Sequence, residues 1–315
     1  MDLDLIVSTA KATLQRLSDR LGGQIDRSAI GDFVRRAQEV GPLDDYKVFP
    51  AAARALLPAG ELADGSHASK LFLKAAISQA MVDTLNSERF AKLPPRVRAQ
   101  QLKQLQRIVA NDDDTADWLQ IDHDIFYKEF GIASLRLYVA GAQLVDPRCG
   151  IPRSIILKEG LGGLPKNLAA IFRLGGFRKY FQIHTHKPML DAFNEQGWDE
   201  CYLCCAELYR LHPEVLGMYG SSWFYDPALD DISPRLAYLR AIPLAGGAEL
   251  FFVEEGGSAR GSSLSTSPTR RKLYEEGKYV PKNYMLAWGK AKQMAWAKNY
   301  SGSLTAPNEA QAPAH

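Results

Sequence analysis

The chain has 315 residues, 46% hydrophobic and 23% charged, an ordinary globular composition long enough for one large domain or two ordinary ones. Its 38 basic and 36 acidic residues leave a net charge of +2, which excludes the broad basic field of nucleic-acid binders. No stretch approaches the roughly 18 consecutive apolar residues of a membrane span, so no transmembrane segment is expected.

The start, MDLDLIVSTAK, is acidic and lacks the basic n-region of a secretory signal. Leu3, Ile6, Ala10, Leu14, Leu17 and Leu21 recur at helical spacing and predict an amphipathic helix. Residues 1–115 read as a helical N-terminal region, with breaks at Gly22-Gly23, Gly41-Pro42, Pro58-Ala59-Gly60 and Pro94-Pro95. Leu71, Ala75, Ala76, Ala80 and Met81 give one helical face; Leu102, Leu105, Ile108 and Val109 give another. The acidic run Asp112-Asp113-Asp114 marks the junction.

Residues 116–300 read as a mixed α/β domain. Short β-type runs are expected at 135–139, 143–146 and 154–158. A glycine-rich turn at 160–163 and a helix at 165–174 follow, then a strand at 180–184. The clearest helix of this half spans 194–211. A strand at 215–225, a helix at 233–242, a strand at 249–254, a short helix at 268–276 and a strand at 283–288 complete the pattern. The fold class is therefore α/β (α+β), a helical region followed by a mixed sheet covered by helices. Residues 301–315 have the composition of a disordered tail.

Of the four cysteines, Cys201 and Cys205 share a stripe with Trp198 and Leu208 on the 194–211 helix. Cys204 lies on the same helix. A free cysteine behaves as a small hydrophobe, so these read as buried thiols in a reducing cytoplasm.

Three stretches concentrate chemistry. In the first, His184 and His186 sit two residues apart at a strand end and would share one face. With Asp191 they offer three ligands for a divalent transition metal. His186-x4-Asp191 equally suits a general base oriented by a carboxylate, and plain hydrogen-bonded packing is the third alternative. In the second, Ser267 precedes Pro268 at a helix start, with Arg270 and Arg271 beside it, a pattern suited to phosphate. Ser222, Trp223, Tyr225 and Asp226, closing the 215–225 strand, have the composition of a pocket lining.

The His186-x4-Asp191 spacing resembles the catalytic motif of glycerolipid acyltransferases, and Phe252-Val253-Glu254-Glu255-Gly256 with Arg260 is loosely similar to that family's substrate-binding segment. The element order from 180 to 254 resembles the C-terminal half of GNAT-type N-acyltransferases, with Asn194-Glu195-Gln196-Gly197-Trp198 at the position of that family's CoA-pyrophosphate loop. These resemblances imply transfer of an acyl group from acyl-CoA or an acyl carrier protein to an amine or hydroxyl. They imply no bound cofactor. His186 would be the base, Asp191 its orienter, and His184 its neighbour in the site. Arg270, Arg271, Ser267, Gln196 and Gly197 would hold the donor, and Ser222, Trp223, Tyr225 and Asp226 a small-molecule acceptor. The alternatives are a metal-dependent enzyme using His184, His186 and Asp191, and a non-catalytic binding protein.

Overall fold

The structure, a computed structural model, describes residues 3–22, 27–57 and 65–305. Among these the chain opens with helices α1 (Leu3–Leu21), α2 (Arg27–Ala37), α3 (Ala51–Arg54), α4 (His67–Leu85), α5 (Glu88–Ala91), α6 (Pro95–Ala110) and α7 (Asp124–Ala133). Strands β1 (Tyr138–Ala140) and β2 (Gln143–Gly150), helix α8 (Gly160–Leu174), strand β3 (Lys179–His184), helix α9 (Glu195–Leu208) and strand β4 (Gly217–Ser222) follow. The remainder is α10 (Leu229–Ile232), α11 (Tyr238–Ala245), β5 (Glu249–Glu255), α12 (Gly257–Ser265), α13 (Pro268–Glu275), β6 (Lys282–Gly289) and α14 (Lys290–Thr305). This is a mixed α/β protein, helices first and strands interleaved with helices afterwards.

Two compact units divide the chain, Met1–Gly150 with Phe181–His212, and Ile151–Tyr180 with Pro213–His315. They cut across the expected boundary at 115/116: the helical half and the first strands share one unit.

In the first unit, α1 buries Ile6, Ala10, Leu14, Leu17 and Leu21, the stripe its sequence predicts except for Leu3, which is exposed. It packs on α4, which is apolar nearly all round and opens on Ser66, whose side chain accepts from the Ser69 N–H. A helix with no polar face belongs in the middle of a core. Phe33, Phe49, Phe72, Phe126 and Phe130 fill the space beside it, with ring centroids 5.2–6.0 Å apart, a spacing favourable to aromatic pairs. The buried Arg136 guanidinium lies 5.1 Å above Phe49 and donates to the carbonyls of Ala37, Asp45 and Val48. β1 and β2 pair antiparallel, Val139 opposite Leu144, and β3 neighbours β2.

In the second unit the strand order is β4-β6-β5, antiparallel throughout. Met218 faces Trp288 across β4 and β6, and a bulge interrupts β5 between Phe252 and Glu254. α14 packs on β4 and β6.

Several expectations need correction. Residues 153–157 form a 3-10 turn rather than a strand. The glycine run expected to be a turn is the first turn of α8, which begins at Gly160 and ends on Gly175 in the left-handed region. Burial of Ala170, Ile171 and Leu174 along one face outweighs the weak helix propensity of its glycines. Residues 301–305, expected within a disordered tail, belong to α14, which runs to Thr305; residues 306–315 lie outside the described residues, as do Gly23 and 58–60. All four cysteines are free and buried, the three on α9 as expected and Cys149 on β2.

The β1–β2 turn seats closely against the start of α9, where the Ala142 N–H donates to the Gly197 carbonyl at 2.9 Å. Gly141 has φ +52°, and a Cβ there would lie 2.1 Å from the same carbonyl oxygen. Gly141→Ala should therefore cost roughly 1–3 kcal/mol, read as a lower urea midpoint; a wild-type midpoint would show that this contact is not as drawn.

Candidate active site

α6 carries Gln100, Lys103, Gln104 and Arg107 at helical neighbour spacing, so they form one ridge. Facing them are Gly141, the 188–192 segment and the first residues of α9, and together these line a cavity of about 610 Å³ within the first unit. Asn194 caps α9: its side chain accepts from the Gly197 N–H at 2.9 Å. The remaining amides of that first turn, with Lys103 and Arg107, give the groove donors and positive charge, set against the carboxylates of Asp191 and Glu200 on the same lining. Glu200, on the α9 wall, is engaged by Arg96 at 2.6 Å and by Gln100 at 3.3 Å.

A buried chain of charge runs inward from this groove. Arg107 donates to both oxygens of Glu129, at 2.7 and 3.0 Å, and to Gln104. Glu129, on α7, is 3% exposed and meets His186 Nε2 at 2.8 Å. Burial pushes the Glu129 carboxyl up, but the His186 hydrogen bond and the Arg107 charge outweigh it and hold the group below its ordinary value. An ionised carboxylate can only accept. His186 Nε2 therefore carries a proton, which in the neutral ring leaves the lone pair on Nδ1. That Nδ1 is buried and has no hydrogen-bond partner among the described residues.

The residues singled out by sequence fall in different places. His186 is buried, but its orienting carboxylate is Glu129; Asp191 is exposed in the 3-10 turn Lys187–Ala192 and lines the groove instead. Gln196 and Gly197 also line it. His184 points elsewhere: its ring lies 4.7 Å from that of Tyr46. No group of three or more His, Cys, Asp or Glu side chains arranged to hold a metal occurs among the described residues, so His184, His186 and Asp191 do not form the ligand set that their spacing suggests.

Arg270 is not a phosphate ligand but a core residue. It is 1% exposed, donates to Ser263, Ser233 and Thr266, and its guanidinium covers Trp223 at 4.4 Å. Ser267 caps α13 by accepting from the Arg270 N–H, and Arg271 donates to the Leu264 carbonyl. Asp226 is a buried turn brace accepting from Ala228 and Lys282 amides and from Tyr279. Tyr225 is buried, and Ser222 ends β4. Arg260 stacks on Tyr274.

Sequence reasoning missed Glu129, Arg107 and Lys103. A signal existed for the first: Lys128-Glu129 interrupts the otherwise apolar helix DIFYKEFGIA, and charges inside a buried helix need dedicated partners.

No protein-family model and no curated protein matches the sequence. A solved structure described as "The crystal structure of acyltransferase in complex with decanoyl-CoA" is similar at TM-score 0.43 and 12% identity, over 83% of this chain and 75% of that one. Likeness at that level identifies neither fold nor activity.

His184 yields a pH prediction. Although the residue keeps some surface, its Nε2 is enclosed without a partner, and burial, aided by Lys128 and Lys47, pulls its pKa from 6.5 down to about 3. The unfolded chain then binds the proton that the folded one refuses, so this group's contribution to stability is complete above pH 6.5 and is lost as pH falls from 6.5 toward 3. His184→Gln should flatten that part of the stability–pH curve; an unchanged slope would mean the ring titrates freely.

Proposed function

We propose that this protein is an acyltransferase, moving an acyl group from a CoA or carrier-protein thioester to an amine or hydroxyl acceptor. The observation that carries the reading is the buried, unpartnered Nδ1 of His186, a ring whose Nε2 meets the Arg107-bound carboxylate of Glu129. The groove that shares Arg107 with that chain supports it further. Acyl transfer needs a base to take the acceptor's proton as its nitrogen or oxygen attacks the thioester carbonyl. The new C–N or C–O bond forms, the C–S bond breaks, and the departing thiolate takes up a proton. His186 Nδ1 has the lone pair for the first proton, and ionised Glu129 stabilises the imidazolium that results. The phosphates of the donor would lie in the groove, against Lys103, Arg107 and the amide of Gln196. Asp191, at the rim, would face the donor or acceptor rather than His186.

A second reading, a non-catalytic binding protein in which Arg107, Glu129 and His186 merely brace the core, draws on the 1% exposure of His186. One assay separates the two. Thiol release from acyl-CoA donors of graded chain length, with amine and hydroxyl acceptors, should show turnover. His186→Ala should lower it roughly 10²–10⁴-fold while the variant stays folded by circular dichroism. Lys103→Ala, at an exposed position, should raise the donor KM about tenfold with little change in kcat. Undiminished turnover in His186→Ala would remove the base assignment, and an unchanged donor KM in Lys103→Ala would move the donor out of the groove.

A further inference from the structure

α8, in the second unit, has three distinct sides. Ala170, Ile171 and Leu174 are buried. At about 100° per residue, Leu161, Leu168 and Phe172 fall within a stripe about 40° wide on another side. They are exposed by 83%, 45% and 85%. Lys166 and Arg173 occupy the flank between, about 120–140° from Leu161. Leu157, 57% exposed in the preceding 3-10 turn, extends the ridge at one end. At the other end an apolar cavity of about 580 Å³ joins Phe172 to Met294, itself 44% exposed.

Such a stripe is neither a core face nor an ordinary surface, since single exposed apolar residues are common but a ridge of large ones is not. The basic side chains around it, Lys158, Lys166, Arg173 and Lys292, outnumber the carboxylates Glu159 and Glu249. The carboxylates beside it, Glu159 and Glu249, are taken up by Lys166 and Arg173. Lys158 forms no ion pair among the described residues, and Lys292, across the cavity, donates only to the Gly247 carbonyl. An exposed apolar ridge with basic side chains in excess around it matches a negatively charged lipid surface: leucine and phenylalanine enter the headgroup–acyl boundary while the lysines left over from ion pairing meet phosphates.

We infer that α8 docks the protein on the surface of an anionic membrane. No described helix is long and apolar enough to cross one, so the association is peripheral. The inference does not depend on the proposed chemistry, because it rests on a different unit of the chain.

Co-sedimentation of the full chain with vesicles of phosphatidylcholine alone, and of phosphatidylcholine with phosphatidylglycerol, tests it. The anionic vesicles should bind, more weakly as salt rises, and neutral ones should bind less. In Leu161→Ser/Leu168→Ser/Phe172→Ser the partition coefficient should fall at least about tenfold, with Tm unchanged because all three side chains are already exposed. Absence of binding to either vesicle would overturn the inference, as would binding that the triple variant retains or that ignores lipid charge. A dimer in solution that the triple variant dissolves would overturn it too, by assigning the ridge to a second copy of the chain.

Discussion

A carboxylate buried in the core is the constraint around which the first unit is arranged. Glu129 cannot stay ionised in that environment without partners, and the fold supplies two: Arg107 from α6 and His186 from the segment after β3. Losing Arg107 would leave that charge uncompensated, a defect worth about 3–5 kcal/mol, whereas losing the neutral His186 ring would remove one hydrogen bond to it. Its neighbour Lys128 grips the same segment, donating to the Thr185 carbonyl at 2.9 Å and to Asp124. Two adjacent residues of α7 thus fix the backbone and side chains that lead from β3 toward α9.

That anchoring explains how an otherwise irregular stretch can form one wall of a groove. From His186 the chain passes through a 3-10 turn whose Met189 N–H returns to the His186 carbonyl, then reaches Asn194, which caps α9. The tight seat of Gly197 completes the arrangement, for a Cβ there would lie 1.9 Å from the Ala192 carbonyl oxygen. On the opposite wall, Gln101 ties α6 to its surroundings by donating to the Ile132 carbonyl and accepting from the Val139 N–H. The groove is therefore built from elements that are each held by buried polar bonds, which suits a site that must keep its geometry.

Much of the fold was legible in the sequence because it rests on periodicity. The α1 stripe, the α9 cysteine stripe and the alternation of strands with helices after residue 133 follow from apolar spacing. α8 was obscured because glycine and proline at its start suggest a turn, and only the tertiary burial of Ala170, Ile171 and Leu174 overrides that signal. The site was less legible. His186 could be picked out by its residue type, but its carboxylate could not: Glu129 lies 57 positions earlier, and Asp191 offered a nearer, more familiar spacing. Arg270 misled for the related reason that a charged residue beside a helix start resembles an anion site unless one knows that Trp223 and three oxygen acceptors enclose it.

The chemistry of the site turns on where the proton of His186 resides. Nitrogen-15 spectra of labelled protein at neutral pH, with His186 assigned by comparison with the His186→Ala variant, measure this directly. A neutral ring protonated at Nε2 with a bare Nδ1 is expected, and that pattern should shift when Glu129→Gln removes the accepting carboxylate. A ring protonated at Nδ1, or at both nitrogens, would contradict the base assignment, because no lone pair would then remain for the acceptor's proton.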